Sequence, residues 1–182
     1  MIKIAILFSG RGSNFAHLAK TLNKNEFEIV VALSNNPNAE GIAVAKFYDI
    51  NLEIIDSKAY SKREDFDEAV VKVLQYYEVN LTVLAGFMRI LTPVFTKEIK
   101  AINLHPSLLP RHKGLNAIEK SYKDEYEEGG VSIHYVSSEL DSGDVIVQKI
   151  ISKKGLSFET YSQKIRYLEK DALIEAIEKI RK

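Results

Sequence analysis

The sequence predicts an α/β fold: a mostly parallel sheet with antiparallel late strands and flanking helices. Two observations carry this reading. Up to about residue 104, short apolar runs alternate with segments of helical period, the pattern of parallel strands joined by crossover helices. After residue 115 the pattern changes to a helix, two strand-like runs joined by the polar loop "SSELDSGD", and a long closing helix.

The early strands are "IKIAILF" (2–8), "FEIVVAL" (27–33), "LEII" (52–55), "LTVLA" (81–85) and "AINL" (101–104). A first helix comes after "FSGRGSN" and contains His17. Residues 61–77 form the best helix, with Ser61 and Glu64 as a capping box and a stripe of Phe66, Ala69, Val70, Val73, Leu74 and Tyr77. Thr92 followed by Pro93 starts a short helix. A helix over 116–127 stops at Gly129 and Gly130, and "VSIHYV" and "VIVQKII" are the two late strands. From Ser157, apolar residues Phe158, Tyr161, Ile165, Leu168, Ala172, Ala176 and Ile180 recur at helical spacing. With no repeat, linker or low-complexity tract, residues 1–182 read as one domain.

Composition narrows the chemistry. Lys plus Arg equals Asp plus Glu at 25 each, so no net field favours nucleic acid or an anionic membrane. The expected partners are small molecules or a second copy of the chain, as a homodimer. The absence of cysteine removes disulfides, thiolate catalysis and thiolate-bound zinc, and His17, His105, His112 and His134 show no metal-ligand spacing, so no metal is expected. The opening "MIKIAILFSG" is too short for a signal h-region and no apolar stretch has the length of a membrane span, so the reading is cytoplasmic.

The turn "FSGRGSN" joins the first strand to the first helix, where the N–H groups of Gly12, Ser13 and Asn14 can face an anion on the positive end of the helix dipole. Phe15 occupies the third glycine position of a dinucleotide fingerprint, and "LSNN" ends the second strand where a ribose-binding acid belongs. No Gly-Lys-Ser/Thr ending marks a triphosphate loop. Two readings survive: a monophosphate site, or an ordinary turn capped by Ser13.

"NLHPSLLP" (103–110) is the other unusual stretch. Asn103 and His105 are two apart on an extended segment and point to one side, and Pro106 and Pro110 stiffen the segment after them. An amide and an imidazole converging on one point suit acyl transfer, in which a carbonyl oxygen becomes an oxyanion. The imidazole then needs an orienting carboxylate, for which Asp141 and Asp144 are the candidates. Against this stand a structural His105 bonding a loop carbonyl and an Asp141 that only forms the turn "LDSG". His17 reads as structural, His112 in "RHK" as solvated, and His134 as either core or pocket lining.

Taken together, "SGRGSN", "VLAGFMRIL", "NLHPSLLP", "VSIHYV" and "ELDSG" make the chain resemble the phosphoribosylglycinamide formyltransferases over nearly its whole length. The resemblance implies a Rossmann-like formyltransferase fold and transfer of a formyl group from 10-formyltetrahydrofolate to glycinamide ribonucleotide (GAR), in de novo purine synthesis. It implies Asn103, His105 and Asp141 as catalytic residues and Gly12, Ser13, Asn14 and Glu169 as binding the ribonucleotide. It also implies folate contacts at Arg63, Met88, Arg89, Ile90, Leu91 and Asn103, with the main chain of 89–91 reading the pterin. Asn116 stands where some members carry histidine. Methionyl-tRNA formyltransferase shares "HPSLLP" but normally adds an RNA-binding domain, for which this length leaves no room. Formyltetrahydrofolate deformylase adds an N-terminal regulatory domain, whereas this sequence opens on a strand.

Overall fold

A computed structural model of the chain describes residues 1–181. Seven strands hydrogen-bond in the order β3-β2-β1-β4-β5-β6-β7, and the chain divides into two compact units, the second beginning at Asn103.

In the first unit, β1 (Ile2–Phe8) pairs in parallel with β2 (Phe27–Ser34) on one side and β4 (Leu81–Leu84) on the other. β2 pairs in parallel with β3 (Leu52–Ile54). Helices α1 (Ser13–Thr21), α2 (Ile42–Phe47), α3 (Arg63–Tyr76) and α4 (Pro93–Thr96) lie between the strands. Ile4 to Phe8 are fully buried, as expected of a parallel strand covered on both faces, and this is why β1 reads as an unbroken apolar run rather than an alternation.

One local expectation changes here and one holds. The N-cap of α3 is Lys62, which makes no side-chain cap bond, so Ser61 and Glu64 do not form a capping box; Ser61 falls one residue too early. Glu64 and Asp65 still lie in the first turn, where carboxylates suit the helix dipole. The buried face of α3 is Phe66, Asp67, Val70, Val71 and Leu74. At α4 the expectation holds: Thr92 accepts from the Val94 N–H at 3.3 Å and Pro93 occupies the first turn.

β5 (Ala101–His105) carries the chain into the second unit. There β6 (Glu128–Tyr135) and β7 (Val145–Ser152) pair antiparallel, and α6 (Phe158–Arg181) packs on both strands and on α5 (Ala117–Lys123). The core face of α6 is Tyr161, Ile165, Ala172, Leu173, Ala176 and Ile177, with Phe158 largely exposed.

The helix expected over 116–127 ends at Lys123, and Gly129 and Gly130 belong to β6 instead of stopping it. Packing explains these glycines. A Cβ on Gly129 would collide with the Tyr161 hydroxyl, and one on Gly130 with the Lys149 backbone carbonyl across the hairpin. Glycine inside a strand marks such close approach as readily as it marks a turn.

Gly130→Ala forces a Cβ into main chain that cannot rotate away, so denaturant unfolding should show a loss of about 3 kcal/mol, the upper part of the overpacking range. Gly10→Ala, with nothing within 4 Å of its added carbon, should stay within about 0.5 kcal/mol of the parent.

Candidate active site

The glycine turn forms a small built site in the first unit. Ser9, Gly10, Arg11, Gly12, Ser13, Asn14, Ala85, Gly86 and Met88 line a cavity of about 260 Å³. Gly12, not Ser13, is the N-cap of α1, at φ 72°. Glycine is required there twice over, because a Cβ would stand 2.7 Å from the Gly41 Cα as well as adopting a left-handed conformation. The first-turn N–H groups of a helix lack intrahelical partners and carry its positive end, the usual means of holding an anion.

Side-chain bonds brace the walls of this cavity. Ser9 Oγ donates to Asn35 Oδ1 at 2.6 Å and accepts from the Met88 N–H at 2.7 Å, while Asn36 Nδ2 donates to the Ser9 carbonyl at 3.1 Å. Further along, buried Asp67 Oδ2 accepts from both the N–H (2.6 Å) and the hydroxyl (2.7 Å) of Thr92. The Arg89 N–H bonds the Phe87 carbonyl at 3.0 Å, so the peptides of Ile90 and Leu91 lie between two anchored points. Met88 and Ile90 expose apolar side chains, Leu91 is buried, and the Arg89 guanidinium lies over the Phe66 ring with its Nε buried and without a hydrogen bond. Arg63 is exposed at the start of α3.

The second unit brings Asn103, His105 and Asp141 together and adds His134. Asn103 Nδ2 donates to Asp141 Oδ1 at 3.2 Å and lies 3.2 Å from His134 Nε2. His134 Nδ1 is 2.9 Å from the Tyr135 carbonyl, and its Nε2 also stands 3.5 Å from Asp141 Oδ1. Asp141 Oδ2 accepts from the Gly114 N–H at 2.8 Å and stands 3.3 Å from His105 Nδ1. His105 Nε2 is 2.8 Å from the His112 carbonyl, so the imidazole faces an acceptor on each ring nitrogen.

That arrangement sets the charges. Burial pushes the His105 imidazole down, and does so by more than the Asp141 carboxylate and the His112 carbonyl push it up. Burial pushes the Asp141 carboxyl up, but the His134 ring, the Gly114 N–H and the nearby His105 outweigh it and hold it below its ordinary value. The resting site therefore combines an ionised carboxylate with an imidazole that resists a second proton.

The backbone around these groups is strained: His112 (φ 56°), Asn116 (φ 59°) and Asp141 (φ 48°) adopt left-handed conformations unusual for residues with a Cβ. The "PSLLP" segment, whose Leu109–Pro110 peptide is cis, is held from β6 and β7. Ser132 Oγ donates to the Ser107 carbonyl at 2.7 Å and accepts from the Leu109 N–H at 3.0 Å, and Gln148 Nε2 donates to the Leu109 carbonyl at 3.0 Å. Glu169 stands half-buried on α6, and Asp144 supplies its carbonyl to the Tyr135 N–H.

Sequence reasoning missed Asp67, His112, Ser132 and Gln148. His112 was expected to be solvated, yet its ring bonds Asp124 at 2.5 Å and its carbonyl bonds His105. Asp67 had a readable signal, an acid on the buried stripe of a helix; Ser132 had one as well, a hydroxyl two residues from His134 on one strand face.

The comparisons agree with this architecture. The formyl transferase family model matches residues 2–177. The trifunctional purine biosynthetic protein adenosine-3 of Gallus gallus is 38% identical over 182 residues, covering 97% of this chain and 18% of that protein, so the chain spans under a fifth of that relative's length. The phosphoribosylglycinamide formyltransferase of Haemophilus influenzae is 36% identical over 152 residues, covering 81% and 72%. The crystal structure of phosphoribosylglycinamide formyltransferase from Campylobacter jejuni superposes with a TM-score of 0.95 at 50% identity, covering 100% of this chain and 98% of that one. With nearly all of its length matched by the family model and by that structure, the chain belongs to the formyl transferase family.

Proposed function

We propose that the chain, acting as one formyltransferase domain in the cytoplasm, transfers a formyl group from 10-formyltetrahydrofolate to the amine of GAR in de novo purine biosynthesis. The observation that carries this reading is the grouping of half-buried Asn103 with buried His105 and Asp141, supported by the names of the relatives. No helix among the described residues is long and apolar enough to cross a membrane.

The donor supplies an activated formyl carbon, and the protein's task is to hold the acceptor, stabilise negative charge on the formyl oxygen and move one proton. The glycine turn takes the ribonucleotide phosphate on the α1 N-terminus, and Glu169 contacts the ribonucleotide. The Arg89 to Leu91 main chain, Met88 and Arg63 take the folate. Asn103 turns one of its 3.2 Å donor contacts to the formyl oxygen, since long resting contacts are the easily exchanged ones. His105 keeps its shorter bond to the His112 carbonyl and uses Nδ1, where the contact to Asp141 is looser. As the amine adds, its proton passes to Nδ1 of this imidazole, and the cation is stabilised by Asp141 and by the new oxyanion. The proton then leaves with the folate nitrogen. Release of folate product measured by absorbance with GAR as acceptor tests the reading; release without any acceptor would indicate hydrolysis instead, and release only with methionyl-tRNA the tRNA enzyme.

Gly12→Ala should raise the GAR KM by roughly tenfold, about 1.4 kcal/mol, and leave the folate KM within about threefold. Equal rises in both would remove the phosphate assignment.

His105→Ala and Asp141→Asn should each lower kcat by roughly 10²- to 10³-fold, and the double variant should resemble the worse single one. In the parent, kcat/KM should fall toward low pH as the amine and His105 gain protons. Asp141 raises the histidine's affinity for its proton, so Asp141→Asn should move the His105 titration to lower pH. Additive losses across the four proteins, or parent kcat in Asp141→Asn, would reduce the aspartate to a turn residue.

A further inference from the structure

We propose that His112 and Asp124 form a latch that positions the His105 imidazole through the His112 carbonyl, making them positioning residues for the reaction proposed above. The role concerns orientation of the ring and not contact with substrate.

The shorter of the two contacts at His105 is a main-chain one, 2.8 Å from Nε2 to the His112 carbonyl, against 3.3 Å from Nδ1 to Asp141. Where that carbonyl points depends on the backbone of His112, which is left-handed at φ 56°. A residue with a Cβ stays in that region only if its surroundings hold it there. The restraint visible here is on the side chain: His112 Nε2 bonds Asp124 Oδ2 at 2.5 Å.

Asp124 is itself immobilised. It is the C-cap of α5, and its Oδ1 accepts from Lys153 Nζ at 2.5 Å and from the Tyr126 N–H at 3.1 Å. Lys153 Nζ also donates to the Ser121 carbonyl at 2.6 Å, and the lysine side chain is only 8% exposed. Arg111 Nη1 stands 4.0 Å from Asp124 Oδ2. These contacts hold the Asp124 carboxyl ionised against its burial. One residue is thus fixed at both ends, its ring to a rigid helix terminus and its carbonyl to His105.

Releasing the ring lets residue 112 return to negative φ, which swings its carbonyl away from Nε2. His105 then loses a partner that favours its N–H, leaving Asp141, His134 and the His112 ring as the ionisable groups facing it. The ring becomes free to turn, and displacement of a reacting group by about 1 Å is enough to cost roughly 100-fold in rate.

The test compares His112→Ala, His112→Gln and Asp124→Ala with the parent. Imidazole nitrogen shifts of His105 are followed across pH in the substrate-free protein, alongside steady-state kinetics and thermal unfolding. Glutamine keeps a donor of similar reach toward Asp124; alanine does not. The expected result is a roughly 10- to 100-fold loss of kcat in His112→Ala and Asp124→Ala, with both KM values within about threefold. The His105 titration should move to lower pH in both, and His112→Gln should lie within about threefold of the parent. Should Asp124→Ala fail to fold, the alanine and glutamine variants at 112 decide alone. The proposal is overturned by parent kcat and an unmoved His105 titration in His112→Ala, by a loss that glutamine does not restore, or by losses that follow only the unfolded fraction. A parent that formylates no GAR would remove the reading of function, and the substrate-free His105 titration would still decide the latch.

Discussion

The contact between the Asp141 carboxylate and the His105 imidazole is the constraint around which the second unit is arranged. Both groups are more than nine-tenths shielded from solvent, and an ionised carboxylate so placed is costly unless its lone pairs find donors. The Gly114 N–H and the Asn103 amide supply them. Each partner then imposes its own demand. The Gly114 amide comes from a turn in which His112, Gly114 and Asn116 are left-handed, and the Asn103 amide lies between Asp141 and the His134 ring.

The anion site proposed for the first unit would rest on main chain. An anion can be held by a helix N-terminus only if nothing bulky stands before it, and Gly12 meets that condition in conformation and in space. The cost is a loop with few side chains of its own to fix it. Ser9, Asn35 and Asn36 restore rigidity from β1 and the end of β2, and Asp67 does the same for the segment ending at Thr92. Binding surfaces made of backbone are precise only when their neighbours are pinned.

How far these features can be read in advance depends on whether the physics is local. The strands of the first unit were legible because an unbroken apolar run bounded by turn residues has few other meanings, and α6 because its repeat persists over many turns. Asn103 and His105 stood out through an unusual composition next to two prolines. Gly129 and Gly130 were misread because a glycine that stops a helix and one that lets a tyrosine hydroxyl approach a strand look identical in sequence. Ser61 failed as a cap because a shift of one residue in the helix start is invisible to pattern. His112 was misjudged for a related reason: its partner Asp124 and the carbonyl it presents to His105 lie in the fold and leave no trace in "RHK".

For the reaction proposed above, the charge state of the resting site suits a catalyst that must act only when loaded. An imidazolium held permanently beside Asp141 would stabilise the oxyanion, but it would leave the amine's proton without an acceptor. A fully neutral site would accept that proton yet offer the oxyanion little. Burial places His105 between these limits by opposing its protonation while Asp141 favours it. Two opposite unit charges about 4 Å apart attract by roughly 4 kcal/mol at the effective dielectric of a protein surface. In that reaction an oxyanion forming near Nδ1 would tip the imidazole toward its cation at the moment the amine releases a proton. Stabilising charge and receiving the proton would then be one event, and what the fold would have to guarantee is that the ring already points the right way when it occurs.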